Sequence, residues 1–256
     1  MGAKYVTKAI MLWGRPYGEA DRILTAFTKE RGRVDFLARG VRKMQAKNRA
    51  LVQPLTYSEI ELAEGRGLDV LTQGVLIEGF MRIHQDFDRM VYAGFLGEFL
   101  MQVLPLQEPY VELCYQFLQA LNHLDKRETD PRVVSVSFLM KSLTLLGYQP
   151  DLTGCQECSS PLKRLEGYRY SFSQGGLICP DCPGGSGDFR MTLPALAALG
   201  EMENLDLRRP VEASWAEADL CLLETFMTRL LESIMETEHR SARFLSRFRG
   251  MRRPEC

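Results

Sequence analysis

Arg22-Ile-Leu-Thr-Ala-Phe-Thr28, Lys29-Glu-Arg-Gly32 and Arg33-Val-Asp-Phe-Leu-Ala-Arg39 decide the first half of the fold. Two short runs rich in β-branched and aromatic residues flank a break that ends in glycine, the pattern of adjacent antiparallel strands. In the second run Val34, Phe36 and Ala38 face one way, and Arg33, Asp35, Leu37 and Arg39 the other. Such a strand fills a core with one face and offers arginines from the other. Working outward, the same period of two extends over residues 5–77, with further strands expected at 6–12, 56–62 and 68–76. Gly14, Pro16 and Gly18 punctuate the first interval and Gly65-Arg66-Gly67 the last, where turn geometry is tolerated. Five short strands in about eighty residues predict a small closed barrel, and the OB-fold is the five-stranded barrel that fits.

Beyond Phe80 the pattern turns helical. Residues 87–104 are apolar nearly all round, with Gly94 and Gly97 one turn apart, which predicts a buried helix packed closely on a neighbour. Pro105 and Pro109 end it and open a second helix over 110–124. Asp130-Pro131 pairs an N-cap with proline at the first helical position, starting a third helix that stops at Gly147. Thr192 begins a short helix. Ser214-Trp-Ala-Glu217 reads as a capping box before a long one lined by Trp215, Leu222, Phe226, Leu230 and Ile234.

Between the third and fourth helices lie Cys155-Gln-Glu-Cys158 and, twenty residues on, Cys179-Pro-Asp-Cys182. Each short loop delivers two thiolates to one ion, so the spacing predicts a single tetrahedral zinc site, closed and structural. Tyr168, Tyr170 and Phe172 alternate with Arg169 and Ser171 as a strand would, and Gly175-Gly176 turns the chain back, giving a zinc ribbon. Two disulfides or four unrelated thiols are the alternatives. Pro183-Gly-Gly-Ser-Gly187 then frees the chain. The expected architecture is α+β: a five-stranded OB-fold barrel over 1–80, then an all-helical domain over 81–256 with a zinc-binding insertion at 150–187.

With 256 residues, 45% hydrophobic and 25% charged, the composition is that of a globular chain long enough for two domains. No basic segment followed by an apolar run opens the sequence, and its most apolar helical stretch, 90–104, is interrupted by Glu98. A cytoplasmic protein is expected. Of seven cysteines, four belong to the ribbon, Cys256 ends the chain, and Cys114 and Cys221 sit among apolar helical positions as core thiols. The histidines His84, His123 and His239 are scattered, and none of the common phosphate-loop, metalloprotease, nucleophile-elbow or dinucleotide motifs occurs, so no enzyme is expected.

The net charge of −1 hides a segregation: residues 1–50 carry twelve Lys or Arg against four acids, a net +8 that leaves −9 for the rest. Residues 29–49 hold the densest run, Lys29, Arg31, Arg33, Arg39, Arg42, Lys43, Lys47 and Arg49, opposed only by Glu30 and Asp35. Such a surface contacts phosphates with little sequence preference; the alternative is a solvated basic face. Trp13, Tyr17 and Tyr57 have the chemistry to stack bases, although aromatics of a small barrel are expected in its core. A second run, Arg240, Arg243, Arg247, Arg249, Arg252 and Arg253, extends the surface, docks a partner or forms a solvated tail.

Tyr17-Gly-Glu-Ala-Asp21-Arg22-Ile-Leu-Thr-Ala-Phe-Thr28, Arg31-Gly-Arg33 and Ala38-Arg39-Gly40-Val-Arg42-Lys43 resemble the N-terminal signature of the RecO family of bacterial recombination mediators. The helical region with its four cysteines is similar to the zinc-bearing members. The resemblance implies an OB-fold that binds single- and double-stranded DNA and anneals complementary strands, in a nucleoid-associated protein. It implies partnership with RecR and with the tail of single-stranded-DNA-binding protein, and help in loading RecA. Arg33, Arg39, Arg42 and Lys43 would hold DNA, joined by Arg31, Lys47 and Arg49 of the same basic run. For the acidic tail, Arg132 and Lys141 are candidates by composition. Two other readings stay open: a zinc-ribbon OB-fold protein that binds RNA, and an adaptor whose basic face meets an acidic protein.

Overall fold

Strands β1 (Lys4–Tyr17), β2 (Asp21–Thr28), β3 (Gly32–Ala38), β4 (Tyr57–Ala63) and β5 (Asp69–Glu78) close into a barrel in the order β1-β2-β3-β5-β4. The computed structural model describes residues 2–43, 48–126, 129–163, 167–183, 189–209, 211 and 213–235. Strand β1 pairs antiparallel with both β2 and β4, and the barrel is shut by a parallel contact of β3 with β5, Phe36 beside Asp69 and Leu37 beside Val70. This is the OB-fold expected from the five-strand pattern. Val34, Phe36 and Ala38 are buried with Ala9, Met11, Leu24, Ala26, Ile60 and Leu62, so the alternation of β3 is realised. Leu51 and Val52, on a short 3-10 turn (Ala50–Val52), complete the core.

Strand β1 does not stop at Gly14 or Pro16 as the turn residues suggested. It leaves β4 after Ile10, bulges between Met11 and Trp13, and continues with β2 alone as a projecting ribbon. Pro16 lies opposite Arg22 where β1 has no second neighbour among the described residues, so its missing N–H breaks no ladder on that side. The expected core placement of the aromatics fails here: Trp13 is 47% and Tyr17 52% exposed on this projection.

Helices α1 (Met81–Gln85), α2 (Phe87–Val103) and α3 (Val111–Asp125) follow. By packing the chain forms two compact units, 1–128 and 129–256, so these helices belong with the barrel. The reason is apolar surface on the barrel's exterior: Ile10 and Phe27 are cross-strand partners, both fully buried, and α2 packs on β1. Asp86 caps α2 by accepting from the backbone N–H of Asp88 and Arg89. The close helix contact expected at both glycines is not found: a Cβ at Gly97 would touch Leu55 at 3.9 Å, and one at Gly94 would meet open space.

Gly32 turns β2 into β3 with φ +62, a conformation that disfavours side chains, and a Cβ there would lie 1.7 Å from the Glu108 carbonyl oxygen. That loop is tied down by the N–H of Gln107 donating to the Arg33 carbonyl at 2.9 Å. Gly32→Ala therefore meets backbone on both counts and is expected to destabilise the barrel unit by about 3 kcal/mol or more, read by denaturant melting.

In the second unit, α4 (Pro131–Leu145) is buried on nearly every side. A four-stranded sheet of β6 (Asp151–Cys155), β7 (Arg169–Ser171), β8 (Gly176–Ile178) and β9 (Phe189–Arg190) follows, in the order β6-β8-β7-β9. Helices α5 (Leu193–Glu203) and α6 (Glu217–Met235) pack on α4. Thr192 caps α5 through its side chain, as expected. Helix α6 starts at Glu217, leaving Trp215 ahead of it with its indole N–H donating to Glu201 at 2.9 Å. No described helix is long and apolar enough to cross a membrane.

Candidate metal centre and nucleic-acid interface

The ribbon brings together all four cysteines of the sequence pattern. Their sulfurs lie within 4.8 Å of one another, with Cys155 to Cys182 at 3.9 Å and Cys158 to Cys179 at 3.7 Å. A disulfide holds its sulfurs near 2.05 Å, so these are separate thiols converging on one point, and four sulfurs so placed fit a metal ion. Local backbone bonds shape the first loop: the N–H of Cys155 donates to Ser160, that of Ser159 to Cys155 and that of Gln156 to Leu177. Hairpin β7–β8 carries the second cysteine pair, turning at Gly175 with φ +71.

Electrostatics already favour a thiolate at Cys155. Burial opposes its charge, but backbone N–H groups of Cys158, Cys179 and Glu157 outweigh that and draw its pKa down to about 6. The thiol of Cys182 is pushed the other way by its bond to Cys179 and by burial, since sulfurs this close do not all ionise without a cation. A guanidinium N–H of Arg169 donates to the Cys182 carbonyl at 2.9 Å, placing positive charge beside the cluster. Cys114, by contrast, is a buried thiol pushed up to about 12 by desolvation, matching its reading as a core residue, and Cys221 is buried as well but is not a free thiol.

Aromatic rings fasten the ribbon to its helix. Phe226 of α6 meets Tyr170 edge-on at 4.9 Å, Phe189 at 5.7 Å and Phe172 at 6.3 Å, and Arg229 lies over Phe189. At the start of α4, Arg132 is 3% exposed and binds Glu217 through two bonds of 2.7 Å and Asp130 through two more, at 2.7 and 3.1 Å. It is thus spent joining α4 to α6, and Lys141 is likewise turned to the Leu205 carbonyl, so neither candidate for an acidic tail is available as a rim. Arg132→Ala should destabilise the second unit by about 3 kcal/mol in chemical melts, the low end for a buried pair because both carboxylates keep solvent.

The basic run of the barrel divides. Arg39, Arg42, Lys43 and Arg49 are exposed and gather on the turn after β3 and its return. Among the described residues no carboxylate pairs with any of them. Arg42 donates to the Gly18 carbonyl at 3.1 Å. Eight residues back along β3, roughly 26 Å at strand rise, Arg31 stacks on Tyr5 at 3.6 Å and pairs with Glu64. Arg33 shares the face of Arg39 yet caps the end of α2, donating to the Met101 carbonyl. Lys47 and the arginines beyond residue 239 lie outside the described residues. Arg22 escaped the sequence reading. Its signal was its register opposite Pro16, which puts it on the same end of the barrel as Arg42 and Arg49.

An OB-fold barrel with helices on its flank, followed by helices that carry a four-cysteine ribbon, defines a class of protein. A family model described as Recombination protein O N terminal matches residues 1–80, and one described as Recombination protein O C terminal matches 84–242. The chain is 31% identical over 209 residues to the DNA repair protein RecO of Symbiobacterium thermophilum, spanning 81% of this chain and 83% of that one. To the RecO of Heliobacterium modesticaldum it is 34% identical over 208 residues, spanning 80% and 75%. The chain belongs to the RecO family of DNA repair and recombination proteins.

Proposed function

We propose that this protein is a recombination mediator that binds single- and double-stranded DNA on its barrel and anneals complementary strands. With RecR it helps load RecA onto DNA coated by single-stranded-DNA-binding protein. The observation that carries the reading is the gathering of Arg39, Arg42, Lys43 and Arg49 without carboxylate partners among the described residues. Lys47 falls in the same loop by sequence, Arg31 serves at the margin, and Arg33 supports the fold. Trp13 and Tyr17, exposed on the β1–β2 projection, supply stacking platforms beside the charges. Annealing then needs neither nucleotide nor catalytic residue, because a basic surface neutralises two strands that repel each other.

The ribbon's ion is zinc. A zinc–sulfur distance of about 2.3 Å in a tetrahedron gives sulfur–sulfur edges of about 3.8 Å, bracketed by the 3.7 and 3.9 Å here. Four thiolates leave no ligand position for substrate, so the ion's work is structural. The protein acts in the bacterial cytoplasm, at the nucleoid.

The test is annealing of complementary oligonucleotides coated with single-stranded-DNA-binding protein, without nucleotide, across a salt series. Four phosphate contacts predict that affinity for single strands falls about fiftyfold between 50 and 200 mM salt. No acceleration from folded, zinc-loaded protein would remove the annealing role and turn attention to RNA or acidic protein partners.

A further inference from the structure

We propose that the cleft at one end of the barrel binds the terminal phosphate of a nucleic-acid strand. This rests on the DNA-binding reading and names the part of the strand held there. The cleft has a volume of about 280 Å³ and is lined by Arg22 from β2, Arg42 from the turn after β3 and Arg49 before the 3-10 turn. Its floor is apolar, with Val41 and Val52 at 3% and 1% exposure.

Charge sets the ligand class. A phosphodiester inside a strand carries one negative charge and two unesterified oxygens, whereas a terminal monoester carries nearly two charges near neutral pH and three such oxygens. Three guanidiniums without a carboxylate partner among the described residues match the monoester. The nearest acid in sequence, Asp21, is occupied in accepting the backbone N–H of Gly40 at 2.8 Å.

Shape points the same way. The alternation of β1 beyond its bulge places Trp13, Arg15 and Tyr17 on one face of the projection, and Gly14 and Pro16 on the other. The first face is open and suits a strand running past. The cleft lies by Pro16, on the second face, and its apolar floor closes one side, so it suits an end better than a through-going backbone. The site is also set in advance. Arg42 N–H donates to the Ala20 carbonyl at 2.9 Å, Lys43 N–H to Gly40 at 3.1 Å and the Gln53 amide to the Arg49 carbonyl at 3.1 Å.

The experiment is fluorescence anisotropy with an internally labelled single-stranded oligonucleotide carrying a 5′ phosphate, a 3′ phosphate, or hydroxyls at both ends. One phosphorylated form is expected to bind about tenfold tighter than the hydroxyl form, and the two phosphorylated arms tell which end enters. Arg22→Gln should erase that ratio. Arg49→Gln, at an exposed loop position, should reduce it and carries the test if the β2 variant does not fold. Equal affinity of all three oligonucleotides overturns the terminal-phosphate site and leaves DNA binding standing; no binding of any of them, from folded protein at low salt, overturns both.

Discussion

Reversing Arg39 and Arg42 to Glu abolishes strand annealing and weakens single-stranded DNA binding by at least about a hundredfold. Each reversal removes a charge-assisted contact of about 1.5–3 kcal/mol and adds a repulsion at the same place. The slope of log affinity against log salt should also shrink by about 1.4, the share of two phosphates on a single strand. Neither residue supports the core. Arg39 is exposed just past β3, and Arg42 gives up one side-chain bond, to Gly18. Thermal melting of the double variant should therefore stay close to that of the parent, and zinc content should be unchanged. Annealing at the parent's rate would remove the DNA face from this end of the barrel.

Cys155→Ser is the second large effect. Cys155 is the ligand most drawn to the thiolate form, and it also accepts the backbone N–H of Cys179 at 3.3 Å, so its loss opens the site at both cysteine pairs. Structural zinc sites contribute on the order of 10 kcal/mol to the folding of peptides that small, far more than the ribbon's own apolar contacts replace. The variant should lose its ion on dialysis and become open to proteolysis between residues 155 and 182. Because Tyr170, Phe172 and Phe189 surround Phe226, the damage should spread to α6 and lower the melting temperature of the second unit. DNA affinity should stay within about twofold of the parent. A variant that kept its stability and lost DNA affinity would instead make the ribbon part of the binding surface.

Much of this molecule was legible in sequence because the signals were local. Alternation of Val34, Phe36 and Ala38 located β3, Asp130-Pro131 opened α4, and two cysteine pairs defined the ribbon. What escaped depended on partners distant in sequence. Arg33 and Arg39 are indistinguishable by alternation, yet one meets the end of α2, whose carbonyls need donors, and the other meets water. Arg132 looks like any basic residue until Glu217, 85 positions away, reaches it. Trp13 and Tyr17 were expected in the core because aromatics of a small barrel usually fill it, and the bulge that carries β1 past its core-lining part is not written in composition. The short helix α1 left too brief a period to detect.

The pairing of β1 on both sides bears on the order in which the chain is made. During synthesis β1 meets β2 almost at once, but its other edge waits for β4, roughly sixty residues later, where Lys4 faces Ala63. Until then Ala9 and Met11, which face the barrel's core, stay uncovered on a growing chain, and the barrel is shut only when β5 reaches β3. The ribbon needs no such wait. Its four thiols lie within 28 consecutive residues, so once these have emerged a metal ion is enough to draw the segment together. The first half of the protein is thus assembled late for its position in the chain, and the ribbon early for its own.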